Sequence, residues 1–412
     1  AEIGLGIDPS HLTQVDLLAI AEQQAVEHWR RSAPLHDLRA LVGLGTEAQP
    51  RVVLQGRQHI ADWQDGRQRV EGRHGGAATE SPGGMSGVRG PDVAELARET
   101  AARLARRTVG AVVGVIDASE QAIAGAGHIH LPAGPPPTAD TLVDIGSVTK
   151  VFTCLAVAEQ VLRGALSLST PVGNVLPPLR GVPLTVEQLA THTSGLPRSP
   201  IGMLAEMGNS DPYSTVTADQ VIEAAAGAKL IRPEHLRYSN LGMSLLALIA
   251  QAVAGADDYD RLVYPIAECL GMPDTKATLT PADRQHLASG HSRRGKPARD
   301  WNLTGMAGCG ALRSTATDML TFLRAQLDVA TPAIEFSQRI RFSQGRHRIA
   351  LGWFMMDRAD NPVYWHNGAT GGYRCFVAFN PARRSAVVTL TNQYTLRGPD
   401  TEALRLLTKL NA

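Results

Sequence analysis

Three short groups of residues could do chemistry together: Ser147-Val148-Thr149-Lys150, Tyr238-Ser239-Asn240 and His366-Asn367-Gly368. A serine hydroxyl is a poor nucleophile until a base takes its proton. On a helix, positions i and i+3 share a face, about 5–6 Å apart at Cβ, so Lys150 can reach Ser147 Oγ. Ser147 is the only serine in the chain with a lysine three residues on. Lys150 works as a base only if burial lowers its pKa toward neutrality. Val148, Phe152 and Leu155 make this helix read as buried. A serine that starts a helix also offers a backbone N–H with no intrahelical partner, at the positive end of the helix dipole, where a developing oxyanion is stabilised. The alternative is a cap serine followed by a surface lysine.

Tyr238 can act as a phenolate-type base or proton relay. Asn240 can hold Lys150 or a substrate carbonyl through its amide. This is the only Tyr-x-Asn among the seven tyrosines, and its plainer reading is a turn that caps the apolar helix after it. The stretch His366-Asn367-Gly368-Ala369-Thr370-Gly371-Gly372 reads as a strand entering a Gly-rich bend. Gly368 would let the backbone pass close to a ligand, making the Ala369 N–H a second oxyanion donor beside that of Ser147. His366 would place a polar or charged group across the cleft. Asn240, His366, Asn367 and Gly368 are therefore the candidate substrate-binding residues. An ordinary hairpin bend with a partly exposed histidine is the alternative.

The elements that must position these groups follow from hydrophobic patterning. Residues 10–31 read as a helix and Val52–Leu54 as a short strand. Residues 73–92, rich in Gly and Ser with no hydrophobic period, read as a linker, which leaves 1–72 as an N-terminal extension. The main body, 93–412, opens with an amphipathic helix over Asp92–Arg107 and strands over Val109–Ile116 and Gln121–Gly127. Leu131–Pro137 is a Pro-rich turn. A helical region inserted over about 150–345 includes the helix opened by Ser147, a loop- and helix-rich stretch over 165–235 and the apolar helix Leu241–Ala254. Strands return at Ile349–Met355, Cys375–Phe379 and Ala386–Thr391, and Arg397–Leu410 closes the chain as a helix. Two strands, a helical insertion, then three strands and a helix predict an α+β fold of the α/β-sandwich type. One antiparallel sheet is completed from both ends of the chain and flanked by helices.

Composition agrees with a large buried core. Of 412 residues, 43% are hydrophobic and only 5% aromatic, so Leu, Val, Ile and Ala must fill the interior. Forty basic against thirty-nine acidic residues give a formal charge of +1, which points neither to nucleic acid nor to an anionic membrane surface. No apolar run reaches the roughly 18 residues of a membrane span. The four cysteines, Cys154, Cys269, Cys309 and Cys375, lie far apart among apolar or glycine neighbours. They read as unbridged buried thiols, which favours the cytoplasm over an exported location. No signal pattern opens the chain, but Ala1 is not Met, so export with a cleaved signal is the alternative. No Cys/His spacing suits zinc.

Ser-x-x-Lys, then Tyr, then a Gly-flanked His, roughly 90 and then 130 residues apart, resembles the serine β-lactamase and penicillin-binding-protein superfamily. The His-x-Gly form is similar to its class C β-lactamase-like branch of family VIII carboxylesterases, DD-peptidase-like hydrolases and transacylases. Leu189-Ala190-Thr191-His192-Thr193-Ser194-Gly195-Leu196-Pro197, Gly308-Cys309-Gly310-Ala311-Leu312-Arg313-Ser314-Thr315 and the strand Leu351-Gly352-Trp353 also resemble segments of that family. His192 reads as structural. The resemblance covers about residues 92–410 and implies a β-lactamase-like fold and an acyl-Ser147 intermediate. Lys150 and Tyr238 would shuttle the proton, the Ser147 and Ala369 N–H groups would hold the oxyanion, and no metal or cofactor would be needed. Two features depart from the pattern. His366 replaces the usual lysine of the third motif, which weakens any fixed cation for a substrate carboxylate and disfavours efficient β-lactam hydrolysis. Residues 1–72 fall outside the resemblance.

The leading expectation is a serine acyl-enzyme hydrolase acting on a small ester or amide. A transacylase passing the same acyl group to an amine or alcohol acceptor is the closest competitor. A non-catalytic ligand-binding protein on the same scaffold is the third.

Overall fold

The computed structural model describes residues 92–200, 211–358, 361–396 and 398–411. The helix expected at 10–31, the strand at Val52–Leu54, the extension and nearly all of the linker lie outside the described residues.

Helix α1 (Val93–Ala105) is capped by Asp92, whose carboxylate accepts from Ala94 N and Glu95 N. Strands β1 (Gly110–Asp117) and β2 (Glu120–Gly127) follow as a hairpin. Between β2 and the later strands come the short strand β3 (Val143–Asp144), then helices α2 (Thr149–Leu162), α3 (Ala218–Ala226), α4 (Asn240–Ala254) and α5 (Tyr259–Leu270). Strand β4 (Arg313–Ser314) pairs with β3, and α6 (Ala316–Asp328) follows. Strands β5 (Phe342–Gln344), β6 (His347–Ile349), β7 (Phe354–Arg358), β8 (Asn361–Ala369), β9 (Arg374–Asn380) and β10 (Ser385–Thr391) lead to the closing helix α7 (Pro399–Leu410).

The main sheet has eight strands in the order β2-β1-β10-β9-β8-β7-β6-β5, all pairs antiparallel. Strand β1 pairs along its length with β10, Ala111 opposite Thr391, so the sheet is indeed closed from both ends of the chain. The fold is α+β, as the patterning predicts.

Strand alternation sorts the core into two layers. Val112 and Ile116 of β1 face the cluster built with α2, α4 and α6, while Val113 and Val115 face α1 and α7. That two-sided burial explains why Val109–Ile116 reads as an unbroken apolar run. Helix α4, the longest apolar run, is a core helix with ten of its fifteen residues buried. No single helix among the described residues is long and apolar enough to cross a membrane. Helix α6 lies on the sheet against β1 and β10.

Two sequence expectations change. Ile349–Met355 is not one strand: β6 ends at Ile349, and Ala350 N–H donates to Trp353 O across a turn into β7. Gly352 makes that turn at φ +74°, and a Cβ there would lie 2.9 Å from Val151 Cα of α2. The Leu351-Gly352-Trp353 segment is therefore a turn pressed onto α2, not a strand. The His366-Asn367-Gly368-Ala369 stretch, by contrast, is strand to its end, and the bend starts only at Thr370.

Candidate active site

Ser147 sits in a 3₁₀ turn, Gly146–Val148, that runs directly into α2. Gly146 takes φ +48°, and a Cβ on it would lie 2.6 Å from Ala369 N. The start of the Ser147 turn and the end of β8 are thus pressed together in a way only glycine allows. A Cβ on Gly368 would lie 1.9 Å from Ile145 O. A close backbone approach at Gly368 is thus made to the segment before Ser147.

Lys150 is fully buried. Its Nζ is 2.8 Å from Ser147 Oγ and 2.6 Å from Cys309 O. A buried amine needs such partners, and burial itself works against its ammonium form. The Cys309 carbonyl comes from the Gly308–Thr315 segment, which lies along the first turn of α2. Leu312 N–H donates to Thr149 Oγ1 at 3.1 Å, and Thr153 Oγ1 donates to Gly308 O at 2.8 Å. Phe152 stacks on Phe322 of α6 with centroids 4.5 Å apart, which fixes the helix behind the serine.

Tyr238 lies just before α4, with Lys150 Nζ 4.8 Å from its ring centroid. Ser239 caps α4, its Oγ accepting from Gly242 N at 2.8 Å while donating to Pro197 O at 2.6 Å. The Arg198 carbonyl accepts from Asn240 N and Leu241 N. The 192–198 loop therefore clamps the Tyr-Ser-Asn motif. His192 adopts φ +58°, its ring tilted 4.5 Å from that of Tyr238, and its Nδ1 accepts from Ser239 N at 3.3 Å. Burial first, then the charge of Lys150, push its pKa well below the usual value, so it is neutral. His192 can position Tyr238 but is poorly suited to proton transfer. Asn240, nearly buried, directs Nδ2 toward Tyr213 Oη at 3.5 Å.

On β8, residues alternate between faces. His366 and Gly368 face the side of Tyr238 and the Ser147 turn. The side chain of Asn367 faces away, its Nδ2 donating to Asp400 of α7 at 2.9 Å. The expectation that Asn367 binds substrate therefore does not hold for its side chain, because a one-residue step in a strand reverses direction. Thr370 N–H donates to Tyr373 O on the β9 side, so by strand alternation the Ala369 N–H points to the other edge. Strand β7 covers that edge only from Asn361 to Trp365. Ala369 N–H thus points past the end of β7, one residue from Ser147 through its contact with Gly146.

His366 is buried, 6.4 Å from Tyr238 and 5.5 Å from Phe354 between ring centroids. Burial, and secondarily the charge of Lys150, lower its pKa to about 3. It brings a polar group to the site, but not the charged one that the sequence also allowed.

The structure adds a cluster that the motifs did not reveal. Asp144, Arg313 and Thr370 form a largely buried polar cluster next to the end of β8. Arg313 Nε is 2.9 Å from Asp144 Oδ1, and Thr370 Oγ1 donates to Asp144 Oδ2 at 3.0 Å. Arg313 also donates to Trp301 O, and Trp301 meets Tyr213 edge-on with centroids 5.5 Å apart. A carboxylate inside the apolar run Leu142–Ile145 was the available signal for this cluster. Arg198, with Cζ 5.3 Å from the Tyr238 ring, had no comparable one.

The beta-lactamase family profile matches residues 93–411, nearly all of the described chain. The chain belongs to the beta-lactamase family. It is similar to the D-alanyl-D-alanine-carboxypeptidase/endopeptidase AmpH of Escherichia coli (strain K12), 28% identical over 306 residues, 67% of this chain and 78% of that protein. Penicillin-binding protein 4 of Amycolatopsis lactamdurans is 26% identical over 294 residues, 65% of this chain and 76% of that protein. Among solved structures, a class C beta lactamase from Rhodobacter sphaeroides superposes with a TM-score of 0.65 at 25% identity, covering 76% of this chain and 98% of that one. The fold is therefore the class C beta-lactamase-like one, as the resemblance of the motifs implied.

Proposed function

We propose that this protein is a serine acyl-enzyme hydrolase acting on a small, uncharged ester or amide. The observation that carries the reading is the buried Lys150 Nζ, 2.8 Å from Ser147 Oγ and 4.8 Å from the Tyr238 ring. Membership of a family whose similar proteins include a carboxypeptidase and beta-lactamases supports the hydrolase class.

Lys150, with Tyr238 beside it, removes the proton from Ser147 Oγ as that oxygen attacks the carbonyl carbon. The tetrahedral oxyanion forms between the Ser147 and Ala369 N–H groups. The proton returns through Lys150 and Tyr238 to the leaving group as its bond to carbon breaks. Water, activated by the same pair, then attacks the acyl-Ser147 ester and restores the serine. A neutral His366 offers no cation for a substrate carboxylate, which argues for an uncharged substrate over a β-lactam. The chemistry would run unchanged with an amine or alcohol as acceptor, which is the transacylase reading.

The test is intact-protein mass spectrometry after incubation with p-nitrophenyl esters and with a penicillin, with and without a small amine. Hydrolysis through an acyl-enzyme predicts a mass gain on Ser147 with the esters and little with penicillin. Amide product outrunning hydrolysis would replace the hydrolase with a transacylase. No adduct and no turnover with any donor would overturn the acyl-enzyme reading.

A further inference from the structure

The two N–H groups assigned above to the oxyanion belong to separate stretches of chain. Ser147 follows β3, which pairs with β4 outside the main sheet, and Ala369 ends β8 within it. Their spacing is therefore a property of neither element alone and depends on what ties the two together. Two side chains do so. Thr370 Oγ1, one residue past Ala369, donates to Asp144 Oδ2, three residues before Ser147, at 3.0 Å. Cys375 Sγ, opposite Gly368 in the β8–β9 pair, donates to Ile145 O at 2.9 Å. The first tie is the stronger, because a hydroxyl bonded to a carboxylate is charge-assisted whereas a thiol is a weak donor.

The carboxylate at the centre of this tie is itself held still. Asp144 and Thr370 are each 3% exposed. Asp144 Oδ1 is 2.9 Å from Arg313 Nε, Arg313 stands opposite Asp144 in the β3–β4 pair, and its Nη1 also donates to Ala277 O at 2.6 Å. A buried ion pair adds little stability that apolar side chains of the same volume would not. What it supplies here is direction: Arg313 fixes one carboxylate oxygen, which leaves the other aimed at Thr370. Threonine is stiff at χ1, so holding its hydroxyl also holds the backbone that carries it. We propose that Thr370 is a positioning residue, whose hydroxyl, anchored on Asp144, sets the place of the Ala369 N–H relative to that of Ser147. The inference rests on the acyl-enzyme reading and adds to it a device that touches no substrate atom. Oxyanion donors work over a narrow range of position, and a misplacement near 1 Å costs about 10²-fold in rate.

The test compares Thr370→Val, which keeps the β-branched shape and loses the hydroxyl, with Thr370→Ser, which keeps the hydroxyl. Thr108→Val is the control. It deletes another buried hydroxyl, bonded to Leu104 O at 3.0 Å just before β1, which β10 and β9 separate from β8. Acylation rate and KM are measured with a p-nitrophenyl ester, together with the affinity for an alkylboronic acid. Its boron bonds to Ser147 Oγ, the serine proton leaves to solvent, and the tetrahedral adduct carries its charge on oxygen as the intermediate does. Thr370→Val should slow acylation at least about tenfold with KM within about twofold of native, and weaken the boronic acid by a similar factor. Thr370→Ser should recover the rate to within about threefold, and Thr108→Val should lower Tm without slowing acylation. Acylation by Thr370→Val within about twofold of native, a serine variant no better than the valine one, or a slower rate with unchanged boronic acid affinity would overturn the proposal. A crystal structure of the native boronate adduct needs no variant to fold: an adduct oxygen about 2.7–3.1 Å from both Ser147 N and Ala369 N is expected, and one turned away from Ala369 would refute it. Adduct mass on Ser147 of the native protein is recorded in parallel with the esters. Native adducts beside an unimpaired Thr370→Val would defeat only this proposal, whereas no native adduct at all would defeat the acyl-enzyme reading beneath it.

Discussion

Replacing Lys150 with Met separates chemistry from folding at this site. The variant keeps a stem of similar length in a fully buried slot and removes only the amine. Two contacts vanish, to Ser147 Oγ at 2.8 Å and to Cys309 O at 2.6 Å. Loss of a positioned base costs about 10²–10⁴-fold in rate, equivalent to about 3–5 kcal/mol of barrier at 1.36 kcal/mol per decade. The upper half of that range is expected, because the contact to Oγ is already formed in the resting protein and would need no rearrangement. Stability behaves differently. An orphaned Cys309 carbonyl costs about 1–3 kcal/mol. That is offset by no longer holding a polar amine in a low-dielectric interior, a desolvation penalty of about 1–3 kcal/mol. The net change should stay within about 2 kcal/mol, a few degrees in Tm for a domain of this size. Stopped-flow measurement of the p-nitrophenol burst reports acylation, and a thermal melt reports folding. Acylation slowed by about 10³-fold with a near-native melt is the expected pair. A burst rate within about twofold of native would remove Lys150 from the proton path and refute the reasoning. So would a collapse in Tm, which would make the lysine a packing residue.

Ser147→Ala should abolish the covalent adduct seen by mass spectrometry while leaving stability within about 1 kcal/mol, since the side chain is only partly buried and small. Gly368→Ala would drive a Cβ to 1.9 Å from Ile145 O, so the nucleophile turn must shift; a displacement near 1 Å costs about 10²-fold, read as loss of burst rate. Asp144→Asn leaves Arg313, only 12% exposed, without its carboxylate partner and should cost about 3–5 kcal/mol in chemical denaturation. The folded pKa of His366 lies below the unfolded value of about 6.5, so the unfolded chain takes up the extra proton first. Its contribution is therefore fully present above pH 6.5 and lost as pH falls toward 3, on the order of 2 kcal/mol by pH 5. Denaturation curves at pH 7 and pH 5 should show that loss in the native protein and less of it in His366→Gln.

What the sequence made legible, and what it did not, divides along a physical line. Spacing along one element survives folding intact. An i, i+3 pair on a helix must share a face, so Ser147 and Lys150 could be paired before any fold was known, and a two-sided apolar run such as Val109–Ile116 could only be a central strand. Contacts between distant elements carry no such signature. The partner of Lys150 on its far side is a backbone carbonyl, Cys309 O, which any residue type could supply. The parity of a strand is equally silent until its register is fixed. His366 and Asn367 were equivalent as letters, yet β8 sends one toward Tyr238 and the other to Asp400. Glycines were visible as a class but not in their purpose. Gly368 read as ligand access and Gly146 carried no reading, whereas both let β8 lie against the turn that holds Ser147. That contact brings Ala369 against the residue before Ser147, so the proposed oxyanion pair depends on two missing side chains as much as on the residues proposed to do the chemistry. It follows that adding a single Cβ at Gly146, at φ +48° and 2.6 Å from Ala369 N, should damage acylation as much as adding one at Gly368, although neither residue bears a functional group.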